Sequence, residues 1–401
     1  MSYDEQILKY VNSHRNDIIA LEQKLIQTES VTGDESQVAG LVAEECEKDE
    51  LTVEFVEPAP KRVSVVARYK GTAGRPKVIW YTHYDTLPPG ERKEWKHPPF
   101  AATIENGWIY GRGVADNKTA TCASIMAFRA IKNLGIKLKG DLIFTHVADE
   151  EKGGTFGFRN LIEKGYGEDV DYLFYAHGGS PERIGIAANG ACIFDIVVKG
   201  KAAHTAYNED GINSVQNAAK LILRLQKLAE EVNLRRYPVP GTDSIMKSRF
   251  SVNRCVGYVA DNAVPQQCEL RIDRRWTPAE SLEQTQTEIQ RVINEWKAED
   301  PKFDAILTVK PDMDLSVSAA DSQLVKAIQR SAKKLAYDPK PEGGSHSSDH
   351  GFFNSRYHRP LASYGIGGEG MHAVNERIKV DEVIQTTKLH CLLMADLLEA
   401  T

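Results

Sequence analysis

The sequence lacks the features that define several other classes of protein. None of its 401 residues falls in a run approaching the roughly 20 apolar residues that a membrane span needs. The net charge of −6 gives no broad basic surface for a phosphate backbone or for anionic lipid. We therefore expect neither a membrane protein nor a nucleic-acid partner.

The cysteine pattern and the N-terminal segment are both typical of a cytoplasmic protein. The six cysteines are scattered without CxxC spacing, so we interpret them as free thiols in a reducing cytoplasm. The N-terminal segment has helical apolar spacing and early acidic residues, unlike a secretion signal. With 41% hydrophobic and 26% charged residues, the chain is long enough for two globular domains with separate cores.

Strand and helix patterns alternate in the first half of the chain. Continuous apolar runs, which are typical of buried parallel strands, occur at 63–69, 77–85, 141–149 and 171–176. Helical patterns occupy 118–134 and 155–164. This alternation predicts an α/β fold.

From about residue 190 the order becomes strand, helix, strand, strand, helix, strand, which is that of a ferredoxin-like unit. The sequence Thr-Pro-Ala-Glu at 277–280 predicts a capping box that opens the second of these helices, with proline in its first turn. We predict a mixed-sheet catalytic domain formed by residues 1–189 and 312–401. An inserted α+β lid and dimerisation domain would span 190–311.

Residues that can bind a metal ion follow the apolar strands, where open α/β sheets form their ligand crevice. A further carboxylate, Asp116, lies after glycines that allow the backbone to turn tightly before a helix. Histidine and carboxylate ligands without nearby cysteine suit zinc, manganese or cobalt, and one carboxylate can bridge two ions. The strand-end candidates are His83, Asp85, Glu150, Glu151, His177 and, after a later strand, His372.

Nine motifs in order make the sequence resemble a family of co-catalytic metallohydrolases. The family includes aminoacylases, acetylornithine deacetylase, succinyl-diaminopimelate desuccinylase, glutamate carboxypeptidases and carnosinase-like dipeptidases. The resemblance covers nearly the whole chain. The motifs are THYDTLPPG (82–90), WKHPPF (95–100), GRGVADNK (111–118), DEEKGG (149–154), GKAAH (200–204), NAVP (262–265), DRRWTP (273–278), GGSHSSD (343–349) and MHAVNE (371–376).

The resemblance implies a metal centre for one or two divalent ions, with zinc or manganese favoured and cobalt as a further candidate. His83 would be a ligand of one ion and Asp116 would bridge both. Glu151 and His372 would complete the second site. Each of these residues, taken alone, could instead be a structural or surface residue.

The resemblance also implies two residues that act beside the ligands. Asp85 would accept the second ring N–H of His83 and so orient it. Glu150 would be the general base that takes a proton from the attacking water. An ordinary acidic loop is the alternative interpretation of Glu150.

At His177 the sequence departs from the resemblance, because the peptidases and deacylases of the family carry Asp or Glu there. The carbamoyl-amide branch uses histidine at this position, but with a much shorter spacing than the one from His83 to Asp116. If His177 is a ligand, Asp116 and Glu151 leave two carboxylates where the usual site has three. The second ion should then bind more weakly, and a site occupied mainly by one ion is an alternative. A His177 that binds no metal is the other alternative.

In the inserted domain the resemblance implies residues that contact the substrate. His204 would reach across a homodimer to polarise the scissile group. Asn262 and Arg275 would bind a substrate carboxylate, with backbone donors at Gly344 and Ser345 adding to that clamp. An ion pair with a neighbouring acidic residue is the alternative for Arg275.

Three functions follow from these residues. The favoured one is hydrolysis of a C–N bond in a small carboxylate-bearing molecule, either an N-acyl amino acid or a dipeptide. An aminohydrolase that releases ammonia from an unusual carboxylated substrate, with an aromatic one among the candidates, is the second. A catalytically silent metal-binding scaffold is the third, although such a protein has no need of both Glu150 and Glu151.

Overall fold

The computed structural model describes residues 2–401. The strands, numbered in chain order, are β1 Thr52–Val56, β2 Ser64–Tyr69, β3 Lys77–His83, β4 Thr103–Glu105, β5 Trp108–Tyr110, β6 Asp141–Val147, β7 Tyr172–Ala176, β8 Arg183–Ala188, β9 Gly190–Lys199, β10 Ala203–His204, β11 Arg236–Pro238, β12 Ile245–Lys247, β13 Arg249–Val256, β14 Ala263–Val264, β15 Gln267–Trp276, β16 Asp304–Met313, β17 Ser316–Val317, β18 Lys340–Gly344, β19 Leu361–Tyr364 and β20 Arg377–Lys379. The helices are α1 Tyr3–Ser13, α2 Arg15–Gln27, α3 Ser36–Lys48, α4 Thr119–Asn133, α5 Phe158–Glu163, α6 Ser214–Asn233, α7 Leu282–Glu299, α8 Gln323–Lys333, α9 Gly351–Tyr357 and α10 Val380–Leu397.

Residues 2–401 contain a nine-stranded sheet in the order β1-β2-β6-β3-β7-β19-β8-β17, with β18 beside β8. The central strands β6, β3, β7 and β19 run parallel, whereas β1, β2, β8 and β17 each pair antiparallel with a neighbour. The predicted α/β class with a mixed sheet is therefore confirmed.

Helices cover both faces of this sheet, which explains why its central strands are apolar throughout. Side chains alternate along a strand, so Trp80 and Tyr81 of β3 are buried in different clusters. Trp80 packs in the cluster to which α1–α4, α8 and α10 contribute. Tyr81 packs with Phe158 of α5 and Phe353 of α9.

A four-stranded antiparallel sheet in the order β13-β15-β9-β16 has a separate hydrophobic core with α6 and α7. Trp296 of α7 stacks on Phe303 with ring centroids 3.7 Å apart. Asn213 caps α6, since its side chain accepts hydrogen bonds from the N–H groups of Val215 and Gln216. The exact domain bounds at 189/190 and 311/312 stay a prediction, and Met1 lies outside the described residues.

The prediction that residues 277–280 cap α7 is wrong. The helix begins at Leu282, and the Ser281 hydroxyl accepts the capping hydrogen bond from the Gln284 N–H at 3.1 Å. Oε2 of Glu280 accepts the hydrogen bond from the Thr277 N–H at 3.1 Å, as the box predicts, whereas its Oε1 pairs with Arg274 and Arg235. These contacts lie ahead of the helix, so Glu280 closes a turn and neutralises two arginines without capping α7.

Two other segments differ in detail from what the sequence predicts. The N-terminal helical stretch is divided at His14, whose ring stacks on Tyr10 at 3.9 Å between centroids. The GGSHSSD motif at 343–349 begins as the end of β18, because Gly343 and Gly344 pair with β8. No helix within residues 2–401 is both long and apolar enough to cross a bilayer.

Candidate metal centre and active site

The candidate ligands converge at one edge of the nine-stranded sheet. His83 ends β3, Glu150 and Glu151 follow β6, and His177 follows β7. Because these three strands are parallel neighbours, their carboxyl ends lie side by side. Sequence order and strand direction together therefore build this part of the site.

One ligand group consists of His83, Asp116 and His177. Oδ1 of Asp116 lies 3.0 Å from Nε2 of His83 and 3.1 Å from Nε2 of His177. The donor atoms of the three residues lie within 4.8 Å of one another. Two imidazoles and one carboxylate form a ligand set that suits zinc and related divalent ions.

A second ligand group shares Asp116 with the first. Oδ2 of Asp116 lies 3.1 Å from Nε2 of His372, which in turn lies 3.2 Å from Oε2 of Glu151. These donor atoms also lie within 4.8 Å of one another. Asp116 thus directs one oxygen to each group, the arrangement that a bridging carboxylate needs.

Glu376 holds the segment that carries Asp116. Its Oε1 accepts hydrogen bonds from the N–H groups of Ala115 and Asp116 at 2.8 and 3.2 Å. Its Oε2 pairs with Arg112 at 2.6 Å. Sequence reasoning did not assign this role to Glu376, although its motif, MHAVNE, was among those that matched.

Backbone geometry fixes the same segment from the other side. Gly113 has φ 87°, and a Cβ there would meet Cγ2 of Thr86 at 2.6 Å, so a side chain is excluded twice. The Asn117 side chain donates to the carbonyl of Ala176 at 2.8 Å. This hydrogen bond joins the Asp116 segment to the end of β7, directly before His177.

Asp85 connects the two sides of the centre. Its Oδ1 lies 3.4 Å from Nδ1 of His83, which faces the backbone carbonyl of Asp85 at 3.2 Å. The carboxylate accepts hydrogen bonds from the N–H groups of Glu150 and Glu151 at 3.1 and 3.3 Å, and from the Thr32 hydroxyl at 2.8 Å. Asp85 is fully buried. Its contacts hold both the ligand His83 and the backbone of the glutamate pair in place.

Glu150 belongs to neither ligand group. Its Oε2 lies 4.0 Å from Nε2 of His83, and its Oε1 accepts a hydrogen bond from the Ser348 hydroxyl at 3.1 Å. Burial raises the pKa of Glu150; Asp116 and Asp85 raise it further, and His83 opposes them. The carboxylate is therefore close to the ligands yet retains an oxygen with which to accept a proton.

The groups at the centre strongly perturb one another. Burial, together with Asp116, raises the pKa of Glu151 to about 8. The hydrogen bond that His372 donates to the Asp116 carboxylate raises the pKa of His372 to about 9. His177 holds the pKa of the Asp116 carboxyl well below its usual range despite burial. Neither ligand group contains an arginine or a lysine, so these pKa shifts come from burial and from the acids and histidines acting on one another.

A cavity of about 490 Å³ adjoins both ligand groups. Predicted residues on its wall are Asp116, Glu150, Glu151, His177, Arg275 and His372. Sequence reasoning missed the rest of the wall, which consists of Tyr175, Met313, His346, Ser347, Ser348, His350 and Ser363. Residues 346–348 lie in the GGSHSSD motif, whereas His350 lies one residue beyond it, and so only the former carried a signal.

Arg275 reaches this cavity and also forms the ion pair that was its alternative interpretation. Its Nε and Nη2 lie 3.0 and 3.1 Å from the Asp273 carboxylate, and its Nη1 donates to the Ser347 hydroxyl at 3.3 Å. A Cβ on Gly344 would meet the His346 ring at 2.2 Å, so this glycine makes room for that ring. The Ser345 hydroxyl accepts a hydrogen bond from the Lys247 N–H at 3.0 Å.

His204 and Asn262 lie together, away from the cavity wall of the described chain. His204 is exposed on β10, where it pairs with Ala263 of β14, and its Nδ1 accepts a hydrogen bond from the Ala206 N–H at 3.1 Å. The Asn262 carbonyl accepts one from the Thr205 N–H at 3.0 Å. Their roles in substrate contact stay a prediction.

Known proteins share this sequence pattern and fold. The model of peptidase family M20/M25/M40 matches residues 79–396. An N-formyl-4-amino-5-aminomethyl-2-methylpyrimidine deformylase of Halalkalibacterium halodurans is 26% identical over 97% of this chain and 96% of its own length. A succinyl-diaminopimelate desuccinylase of Alkalilimnicola ehrlichii is 26% identical over 79% of this chain and 82% of its own.

Solved structures agree with the fold at lower sequence identity. The M20 family metallo-carboxypeptidase Sso-CP2 of Sulfolobus solfataricus superposes with a TM-score of 0.79 at 20% identity, covering 95% of this chain and 99% of its own. The Bacillus subtilis YXEP protein, a dinuclear metal binding peptidase, gives 0.73 at 19%, covering 97% and 99%. Human carnosine dipeptidase 1 gives 0.72 at 16%, covering 99% and 100%.

Proposed function

Because the chain belongs to peptidase family M20/M25/M40 and is therefore a metal-dependent hydrolase of amide bonds in small molecules, we propose that Glu150 is its general base. One observation carries this assignment. Asp116 divides its two oxygens between two ligand groups, while Glu150 lies beside His83 and outside both groups. A base needs that position, since a carboxylate engaged as a ligand cannot also take up a proton freely.

The ligand groups fit two divalent ions, for which we propose zinc or manganese, with cobalt as a further candidate. His83, Asp116 and His177 would hold one ion, and Asp116, Glu151 and His372 the other. Ions bound there would supply Lewis-acid polarisation of the amide carbonyl and would acidify water. With only two carboxylates in the combined set, the second ion is expected to bind more weakly than the first.

Glu150 takes a proton from the attacking water as the water oxygen bonds to the amide carbon. The same carboxyl then delivers the proton to the departing nitrogen as the C–N bond breaks. The raised pKa of Glu150 suits both steps, because a base that is too weak would not accept the proton at neutral pH. Ser348 occupies the other oxygen of Glu150 and so fixes the direction in which the base faces.

For the substrate, we propose an N-acyl amino acid or a dipeptide with a free carboxylate. Arg275 supports this choice, because its guanidinium lies on the cavity wall and guanidinium groups recognise carboxylates. The similarity to a desuccinylase and to a deformylase adds N-succinyl and N-formyl compounds as the first candidates to test.

We propose that the enzyme is a homodimer in which His204 acts in the active site of the partner subunit. His204 is exposed and lies apart from the cavity of its own chain, which supports a role outside that chain. Mixing inactive His204→Ala and Glu150→Gln protomers tests this proposal, because a hybrid dimer contains one site with both residues intact. Activity that stays absent after confirmed subunit exchange would contradict action across the dimer.

We also place the enzyme in the cytoplasm. None of the six cysteines, all of which lie within the described residues, forms a disulfide, which supports a reducing compartment. Fractionation of the source cells with an antibody to the chain checks this placement.

A metal-reconstitution assay tests the hydrolase function. The protein would be stripped with a chelator, verified by elemental analysis, and reloaded with zinc, manganese or cobalt. The panel would contain N-succinyl and N-acetyl amino acids, N-formyl amines, dipeptides, carbamoyl amino acids and aromatic acids that carry a ring amino group. We expect at least one amide of the panel to be hydrolysed only by reloaded protein. Full turnover by metal-free protein, or release of ammonia from an aromatic amine alone, would contradict the proposal.

A further inference from the structure

His350 has no partner for its side chain although it is buried beside the reaction site. It precedes α9, lines the cavity and is 3% exposed. Its Nδ1 is buried without a hydrogen-bond partner, and within the described part of the chain its Nε2 has none either. Nε2 is not among the enclosed atoms and belongs to a residue of the cavity wall, so it is the ring nitrogen that a ligand in the cavity can pair with.

The position of the His350 ring is well defined by its surroundings. It packs against the ring of Tyr175 with centroids 5.2 Å apart, and its backbone carbonyl accepts a hydrogen bond from Phe353 at 3.1 Å. The preceding Asp349 is bound by the Tyr81 hydroxyl, and Ser348 donates to Glu150. One short segment therefore holds both the general base and His350.

His350 differs in this respect from the three histidines that face Asp116. His83, His177 and His372 each turn Nε2 toward an Asp116 oxygen and belong to a ligand group. His350 belongs to neither group. Its ring is thus available for a different task in the same cavity.

The chemistry of the ring indicates what it can bind. Burial, together with His346 and His177, lowers the pKa of His350 to about 3, so the imidazole is neutral with one N–H and one lone pair. Nε2 is the nitrogen that is not enclosed, and it can present the N–H to the cavity. Arg275 and His346, whose side chains can also donate hydrogen bonds, lie on the same wall.

We propose that His350 is a substrate-binding residue whose Nε2–H donates a hydrogen bond to a carbonyl or carboxylate oxygen of the substrate, outside the amide that is cleaved. This assignment deepens the proposed hydrolase function and rests on it. It makes His350 a specificity residue that discriminates substrates bearing such an oxygen from those without it.

Two substitutions of His350 separate hydrogen bonding from packing. His350→Leu removes both nitrogens, whereas His350→Gln keeps a donor at about the same reach. For the amide of the reconstitution panel that is turned over fastest, we expect His350→Leu to raise KM about tenfold, as loss of one hydrogen bond predicts, with kcat changed by less than about threefold. His350→Gln should recover most of the KM. If the leucine variant does not fold, His350→Phe keeps a ring against Tyr175 and takes its place.

His390 provides a matched control. It is fully buried and both of its ring nitrogens lack partners, but its neighbours are Trp80 and Phe174 in the core, away from the cavity wall. His390→Leu should leave KM unchanged. Metal content is measured for every variant, because a change there would indicate damage to the ligand groups rather than to a substrate contact.

Succinate binding to zinc-loaded protein provides a readout that needs no turnover. We expect calorimetry to show about tenfold weaker binding of succinate to His350→Leu than to the parent, and near-parent binding to His350→Gln. Equal KM and equal succinate affinity in the leucine variant would overturn the role of His350 while leaving the hydrolase function intact. Absence of both turnover and succinate binding in the metal-loaded parent would overturn both.

Discussion

Two buried glutamates, one at the metal centre and one beside the four-stranded sheet, are held in opposite ways. Burial and the nearby Asp116 raise the pKa of Glu151 to about 8. Burial acts in the same direction on Glu280, but the Ser248 hydroxyl and the Arg274 guanidinium outweigh it and lower the pKa to about 2. The two side chains are similarly enclosed, with 6% and 4% of their surface exposed.

The difference lies in the charges that each glutamate meets. Glu280 meets two arginines, Arg274 and Arg235, which neutralise it within the chain. Glu151 meets further acids and a histidine. A folded protein rarely leaves buried charge uncompensated, so the acids of the metal centre indicate cations that come from outside the chain. The pattern of compensation thus separates a structural carboxylate from a functional one.

The comparison is tested most severely by Glu150→Gln at the metal centre. The amide is nearly isosteric but cannot take a proton, so kcat should fall by roughly 100- to 10,000-fold. Metal content and the unfolding transition should be unchanged. Steady-state kinetics on reconstituted protein measures the effect.

Glu22 provides the control for that experiment. It is fully buried, burial raises its pKa to about 7, and its Oε1 accepts a hydrogen bond from Thr119 away from the cavity wall. Glu22→Gln should therefore keep the rate. Equal loss in both variants would mean that any buried glutamate matters, and near-normal turnover of Glu150→Gln would show that Glu150 is only an acidic neighbour.

The contrast also shows how far sequence reasoning reaches. Strand direction alone brings His83, Glu150 and His177 together, so a strand followed by a metal-binding residue was enough to predict them. Glu280 was misassigned to a helix cap, because its partner Arg235 lies 45 residues away and no local pattern reveals it. His350 was missed for the same reason, since its position depends on packing against Tyr175.

On the structural side of the comparison, Glu280→Gln should destabilise the fold. Arg274 has only 1% of its side chain exposed and would keep only Glu288, 3.7 Å away, as an acidic partner. Removing one partner of a buried ion pair costs about 3–5 kcal/mol. Urea unfolding measures the change. Glu299→Gln removes an exposed pair with Arg224 and should cost no more than about 1 kcal/mol.

The ion pairs of Glu280 should also make the free energy of unfolding depend on pH in the acid range. The pKa of Glu280 is lowered from 4.5 to about 2 in the folded chain, so its stabilisation is present above pH 4.5 and is lost as the pH falls toward 2. At pH 3 the loss from this group is about 2 kcal/mol. The parent should therefore lose more stability between pH 6 and pH 3 than Glu280→Gln does. Parallel curves for the two proteins would contradict the pairing.

The smallest effect is expected at His177, where the metal centre is short of one carboxylate. If His177 is a ligand, His177→Ala should lower metal affinity. His177→Asp should raise it on the order of tenfold over the parent, equivalent to about 1.4 kcal/mol, because a third carboxylate neutralises more of the ions' charge. Tighter binding does not imply faster turnover. Ions that are better neutralised are weaker Lewis acids and acidify water less, so the rate on the best substrate should not rise. Titration with zinc and with manganese, followed by kinetics at saturating metal, separates the two quantities. If His177→Ala binds as many ions as tightly as the parent, His177 is not a ligand. The charge of the bound ions would then be neutralised without His177, through the group formed by Asp116, Glu151 and His372.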